Sequence, residues 1–307
     1  MSASVKAIAG GGYLLGLDLG GTRLKALALT PAGIELARET APSDGNTWQD
    51  SVRACIAGLV ARLGPPLAIG VAAPGLAAPD ERSIAFMPGR LPGLEGLDWT
   101  ACLQSPVPVP VLNDAHAALL GEVWRGAAQG ARDVILLTLG TGVGGAILSD
   151  GRLLRGHLGR AGHLGHITVD AGGPPDIVNT PGSLEDAVGN ASLGVRSQGR
   201  YTSTAALVAD VKRGDAAALA IWTRTIRDLA AGIASLVNVL DPEIVLLGGG
   251  IAGAGDALFT PLAAGLARVE WRPGGRCVHL ARARLGDWAG AHGAAAHALQ
   301  QIPLHQA

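Results

Sequence analysis

Residues 14–29 read LLGLDLGGTRLKALAL, and residues 134–148 read VILLTLGTGVGGAIL. Each stretch is an apolar run, a glycine turn and a second apolar run, the pattern of a buried strand doubling back into a partner strand. At a constant offset of 120 residues Leu17-Asp18-Leu19-Gly20 lies over Leu137-Thr138-Leu139-Gly140, and Ala26-Leu27 over Ala146-Ile147. This is a weak internal duplication. It implies two similar α/β domains facing each other across a cleft, and about 100–200 residues per domain agrees with two. Because both glycine turns join strand to strand, they do not match a dinucleotide-binding turn, whose glycines open a helix. No GxxxxGK[ST] phosphate loop occurs either.

Working outward, Pro31-Ala32-Gly33 turns the chain into a third strand at 34–40, and a helix follows over 47–63 with Val52, Ile56, Leu59, Val60 and Leu63 on one face. Pro65-Pro66 stops that helix, and 67–72 reads as another buried strand ending at Ala73-Pro74-Gly75. A strand is also expected at 107–112, irregular or at a sheet edge because of its prolines. In the second half the spacing predicts a helix over 216–240, a strand over 244–247, a helix opened by the glycines at 248–250 and an alanine-rich helix over 289–300.

The 48% hydrophobic and 16% charged composition is that of a globular chain. Net charge is −1 with basic residues scattered, which gives no footprint for nucleic acid or an anionic membrane and points to a small-molecule partner. Cys55, Cys102 and Cys277 form no CxxC pair, so neither a disulfide framework nor a cysteine-based metal site is expected. The first residues lack a signal-peptide layout, and the apolar stretch 229–240 is too short to span a bilayer. A soluble, cytoplasmic protein is therefore the expectation.

Four motifs can carry chemistry. Asp18 with Gly20, Gly21 and Thr22 can present backbone N–H groups and a hydroxyl to phosphate oxygens, with the carboxylate facing magnesium directly or through water; an ordinary hairpin turn reads the same way. Gly140, Thr141 and Gly142 repeat the arrangement, and two such turns could clamp one polyphosphate. Asn113-Asp114 lies at a strand-to-helix junction, where Asp114 is either the helix N-cap or a general base that takes the proton of an attacking hydroxyl. Gly248 and Gly249 either lie against an adenosine or serve a βα turn.

Taken in order, GLDLGGTRLKALAL, VLNDAHAALLGE, LLTLGTGVGGAIL, GRAGHLGHITVD, PGSLE and VNVLDPEIVLLGGGI resemble the ROK family of bacterial sugar kinases and sugar-responsive repressors. The resemblance implies two actin/hexokinase-like (ribonuclease H-like) domains, each a mixed sheet with flanking helices, around a central cleft. The expected boundaries are 1–114 and 115–289, with a C-terminal helix at about 290–307 packing back on the first domain. It further implies transfer of the γ-phosphoryl group of ATP, with Mg2+, to a hexose, usually at O6, and a homodimer. Asp114 matches the family's catalytic base. Asn113 and Glu185 match sugar ligands, which Gly75, Arg90, His163 and His166 join as candidates. Asp18, Gly20, Gly21, Thr22, Lys25, Gly140, Thr141, Gly142, Gly248 and Gly249 match the nucleotide motifs.

The chain departs from the family pattern in three places. His163 stands where the ExGH motif has Glu, and Arg90 where Asn is expected. The stretch from Asp170 to Glu185, DAGGPPDIVNTPGSLE, holds none of the three cysteines that bind a structural zinc with the ExGH histidine, so no zinc site is expected. The alternative reading is a non-catalytic sugar- or nucleotide-binding regulator. With only about a dozen residues ahead of the first strand, a DNA-binding helix-turn-helix is not expected.

Overall fold

The computed structural model describes residues 12–43, 47–89 and 91–302. Arg90 and positions 303–307 of the expected C-terminal helix lie outside them. The described chain divides into two compact units: 12–130 with 155–160 and 284–302, and 131–154 with 161–283.

The first unit is built on strands β1 (Leu14–Leu19), β2 (Arg23–Leu29) and β3 (Glu35–Pro42), helix α1 (Trp48–Leu63), strands β4 (Ala68–Ala73), β5 (Leu76–Ala77) and β6 (Ile84–Phe86), the short α2 (Trp99–Cys102), strand β7 (Val111–Asn113) and helix α3 (Asp114–Arg125). Its sheet has the order β3-β2-β1-β4-β7. β2 pairs antiparallel with β1 and β3, whereas β4 is parallel to both β1 and β7. The expected boundary at 114 falls between β7 and α3, and both belong to this unit.

The second unit contains β8 (Val134–Leu139), β9 (Val143–Ser149), β10 (Arg152–Leu153), α4 (Leu184–Val188), α5 (Leu193–Arg196), α6 (Thr204–Lys212), α7 (Ala216–Leu240), β11 (Ile244–Gly248), α8 (Gly249–Ala252), α9 (Asp256–Val269) and β12 (His279–Arg282). The sheet order is β10-β9-β8-β11-β12. Its pairing senses repeat those of the first sheet: β9 antiparallel to β8, then β11 parallel to β8 and to β12. The duplication seen in two glycine turns is thus a duplication of a whole five-stranded sheet. Its core joins Ile135, Leu137 and Leu139 of β8 to Trp222, Leu229 and Ile233 of α7 and Leu262 of α9.

The last helix, α10 (Ala289–Gln300), returns to the first unit and packs on β1, β4 and α3. Successive residues of a strand point to opposite faces. On β1, Leu15, Leu17 and Leu19 enter the core with Trp48, Val52 and Leu59, while Leu14 clusters with Ala291, Ala295 and Ala298 of α10. Gly16 and Asp18 therefore share the α10 face. A strand covered on both faces carries a near-continuous apolar run, which explains why the sequence around Asp18 is so uniformly leucine-rich.

Alanine and glycine in α10 serve proximity. A Cβ at Gly16 would sit 1.9 Å from the Ala291 carbonyl oxygen, one at Gly70 2.1 Å from that of Ala294, and one at Gly293 1.6 Å from that of Ala117 in α3. The backbones touch, and no side chain can intervene.

Two local readings need correction, and one hairpin carries no sequence signal. The strand expected over 107–112 is only Val111–Asn113. Pro108 and Pro110 carry no N–H, so they cannot contribute ladder donors; β7 sits at the sheet edge, and Val111 N–H turns outward to the Glu81 carbonyl (2.8 Å). The β5–β6 hairpin has strands of two and three residues, too short for any periodicity to reveal. The helix opened by the glycines at 248–250 is only the four-residue α8.

Replacing Gly293 by Ala should cost about 2–4 kcal/mol, because a methyl would have to displace backbone on a neighbouring helix. Urea unfolding of the two proteins measures this, and a difference below about 0.5 kcal/mol would contradict the packing described.

Candidate active site

Asp18 is the penultimate residue of β1, on the face covered by α10. Across the hairpin it is in register with Lys25, whose Nζ lies 3.4 Å from Oδ2. A Cβ at Gly290, in the first turn of α10, would meet the Asp18 carboxyl at 2.9 Å. The carboxyl is pushed up to about 6, first by burial and further by the charges of Asp114 and Asp287, against the opposing pull of Lys25. Asp18 is thus an under-compensated carboxylate that a cation would stabilise.

At the end of β7, capping is done by Asn113. Its Oδ1 accepts from the N–H groups of Ala115 (3.0 Å) and His116 (3.3 Å), and its Nδ2 donates to the Gly75 carbonyl (2.9 Å). The cap reading of Asp114 is therefore corrected: Asp114 is the first residue inside α3, and it is exposed. Its Oδ1 accepts from Ala115 N–H at 2.8 Å. Asn113 is buried with both lone pairs of Oδ1 committed, so one amide hydrogen is what it can still offer a ligand. Gly75, at φ +100° with no room for a Cβ against Met87, brings its carbonyl to that amide.

The glycine turns differ in what demands each glycine. In the first, Gly20 N–H closes onto the Arg23 carbonyl (3.0 Å), and the buried Ser43 hydroxyl donates to the Gly20 carbonyl (2.6 Å). Gly21 and Thr22 are exposed, and a Cβ at Gly21 would meet nothing within 4 Å. In the second unit Gly140 is equally open, with its N–H on the Gly142 carbonyl (2.9 Å). Gly142 is different. A Cβ there would strike Glu185 Oε2 at 2.2 Å, the same oxygen that accepts the Val143 N–H at 2.9 Å. Glu185, from α4, therefore braces this turn with one oxygen and keeps Oε1 for other work. The N–H groups of Asn190 and Ala191 bind the carbonyls of Gly140 and Thr141 (3.0 and 2.9 Å). Neither Asn190 nor this brace was legible in the sequence, because both depend on which loops the fold brings together.

Gly248 and Gly249 open α8. Gly249 is required by the fold itself, at φ +81° with the Leu139 carbonyl 2.3 Å from any Cβ. Beside this turn lies a cavity of about 490 Å³ lined by Asn190, Thr204, Val208, Lys212, Gly250 and Ile251, within the range of small-molecule sites. A larger cavity of about 710 Å³, bounded by Arg196, Arg224 and Asp228, is lined by none of the candidate catalytic, sugar or nucleotide residues, although Asp170 and Ser183 of the stretch without cysteines reach it.

His163 precedes the short turn Leu164–His166 and His166 closes it, both half-buried. His166 Nδ1 lies 2.8 Å from Oδ2 of Asp176, and the stretch from Asp170 to Glu185 offers no thiolate beside it. Among the described residues no three His, Cys, Asp or Glu side chains could hold a metal ion together, and the residues around His166 do not fit a zinc site. None of the described helices is long and apolar enough to cross a membrane.

The family model of ROK, "ROK family", matches residues 14–301. The chain belongs to the ROK family. Among ROK relatives, the glucokinase of Halalkalibacterium halodurans is 32% identical over 81% of this chain and 84% of its own length. The ROK hexokinase from Thermus thermophilus superposes with a TM-score of 0.84 at 32% identity, covering 94% of this chain and 99% of that one. A ROK glucokinase from Streptomyces griseus, solved with glucose and AMPPNP, gives 0.77 at 27% identity over 94% and 100%. The two sheets with flanking helices are thus the actin/hexokinase-like fold of ROK sugar kinases.

In nucleotide-free, chelated protein, Asp18→Asn should raise stability at pH 7.5 by about 1–3 kcal/mol. The sign follows from the raised value: the folded protein holds the Asp18 proton more tightly than the unfolded chain, so this stabilisation is lost as pH rises towards and through about 6. The gain should close below about pH 4, where both states are protonated. Denaturant titrations across that range check it; equal stabilities at pH 7.5 would mean the carboxylate is not strained.

Proposed function

We propose that this chain is an ATP-dependent hexose kinase that transfers the γ-phosphoryl group to a sugar hydroxyl, O6 of a glucose-type or fructose-type hexose. The observation that carries the reading is the state of Asp114. Capping falls to Asn113, and Asp114 stands exposed at the start of α3 within electrostatic reach of Asp18. Such a carboxylate can act as general base.

In this mechanism Asn113 donates its remaining amide hydrogen to the sugar, with Glu185 Oε1 and His166 as further sugar ligands. Asp114 takes the proton of the attacking hydroxyl as its oxygen forms the bond to the γ-phosphorus, while the bond to the β–γ bridging oxygen breaks and ADP leaves. Phosphoryl transfer asks a protein chiefly to position reactants and offset charge. The turns at Gly20–Thr22 and Gly140–Gly142 supply backbone N–H groups for phosphate oxygens, and the cavity beside Gly250 suits the adenosine. Magnesium would be held by Asp18 directly or through water, which fits a hard cation that keeps most of its ligands as water and phosphate; it would neutralise charge on the phosphates. Open space above Gly21 and Gly140 supports this reading, since nothing in the chain's own packing demands glycine there.

Asp114→Asn should lower kcat by at least about 10³-fold while leaving sugar affinity within about threefold, because the amide keeps the shape and loses the base. A coupled ADP-release assay over a hexose panel with calorimetric sugar titration measures both, and near-normal kcat removes the assignment. Sugar binding without ADP release in the wild type would leave the regulator reading in its place.

Gly21→Ala and Gly140→Ala should leave the melting temperature within about 2 °C, since neither methyl meets protein. Each should raise the ATP KM about tenfold or more, because a methyl replaces the surface that phosphate oxygens approach. Unchanged ATP KM in both variants would detach these turns from the nucleotide.

A further inference from the structure

Asp176 drew no notice in the sequence, yet the loop from Thr168 to Ser183 is organised around it. Its side chain is fully buried. Oδ1 accepts the backbone N–H groups of Val178 (2.9 Å) and Thr180 (2.8 Å), Oδ2 faces His166 Nδ1 at 2.8 Å, and the Ser183 side chain adds a further hydrogen bond. The backbone closes over the same residue: Asp176 N–H donates to the Thr180 carbonyl and Asn179 N–H to the Asp176 carbonyl, with Asn179 in the left-handed region at φ 68°. Burial alone would raise the carboxyl, but the bonds from His166, Thr180, Val178 and Ser183 outweigh it and hold the group below its usual range. The carboxylate is ionised, and an ionised carboxylate has no hydrogen to give.

That settles which nitrogen of His166 carries the proton. The hydrogen in the His166–Asp176 contact belongs to Nδ1, and in the neutral ring Nε2 then presents a lone pair. The ring also cannot flip without breaking a bond to a fully buried partner. We infer that Asp176 is a positioning residue for substrate: it locks His166 in the Nδ1–H tautomer so that Nε2 accepts a hydrogen bond from a sugar hydroxyl. The second half of this statement rests on the sugar-kinase reading above; the tautomer lock does not.

Asp176→Asn is the discriminating variant. The amide oxygen can still accept from Val178 and Thr180, but the amide nitrogen then faces His166 as a donor, so Nδ1 must accept and the hydrogen moves to Nε2. The loop keeps its shape and the imidazole changes its hydrogen-bonding face. Nitrogen-15 spectra of histidine-labelled full-length protein at slightly alkaline pH read this directly, with His166 assigned by its loss in His166→Gln. Protonated Nδ1 in the wild type and protonated Nε2 in Asp176→Asn are expected. With D-glucose as probe, or the best hexose of the panel, Asp176→Asn should raise the sugar KM about 10- to 100-fold with kcat within about threefold, the scale seen when the partner orienting a ligand histidine is removed. Added to His166→Gln, it should cost nothing further.

Protonated Nε2 in the wild type overturns the lock outright, and needs no variant to fold. An unchanged KM in Asp176→Asn overturns the positioning role. So does a fall in kcat and melting temperature that multiplies with His166→Gln, which would mark Asp176 as a structural brace. Absence of turnover on every sugar removes the kinase reading and the hydroxyl-acceptor role with it, while the spectra of sugar-free protein decide the tautomer independently.

Discussion

The first unit rests on contact between backbones. α10 lies directly on the sheet because Gly16 and Gly70 offer no side chain to hold it off, and on α3 because Gly293 offers none to Ala117. Packing at this distance gains dense dispersion contact at low side-chain entropy cost. It also fixes the electrostatics of the site. With Gly290 against its carboxyl, Asp18 is denied water on one side and left with Lys25, at 3.4 Å, as its ion-pair partner. The helix that closes the core of the first unit is therefore the same one that keeps a candidate magnesium carboxylate short of compensation.

How much of this was legible depended on whether residues report on their neighbours in sequence or on partners brought by the fold. The β1–β2 hairpin, α7 and α10 were read close to their true bounds, since long apolar periodicity and clear stops such as Asp241-Pro242 survive any tertiary context. Those runs showed only the opening hairpin of each unit, and the repeated five-strand order emerged from pairings distant in sequence. What escaped was short or non-local. The β5–β6 strands have too few residues to show a period, Asp176 is one acid in a polar loop until residue 166 is placed beside it, and the exchange of capping between Asp114 and Asn113 turns on a carbonyl from Gly75.

Glycine shows the same limit in a sharper form. In the sequence the glycines of GGT, GTG and GGG are equivalent. In the fold Gly249 is obligatory for the backbone, and Gly142 makes way for Glu185. Gly21 and Gly140 are bound by neither constraint. At this last pair the chain's own packing does not explain the glycine, and there a ligand's claim on the sequence can be separated from the fold's.

The edge strand β7 has a consequence of another kind. An open sheet margin is a template on which a further chain can hydrogen-bond, and stacked margins lead to amyloid-like polymers. Here Pro108 and Pro110 precede a strand of three residues, and the outward N–H of Val111 is already taken by Glu81. On the opposite margin β3 exposes Glu35 and carries Arg38 and Glu39. Short length, proline and a committed N–H at one rim, and charged side chains at the other, are devices that oppose edge-to-edge pairing and have no connection with any substrate.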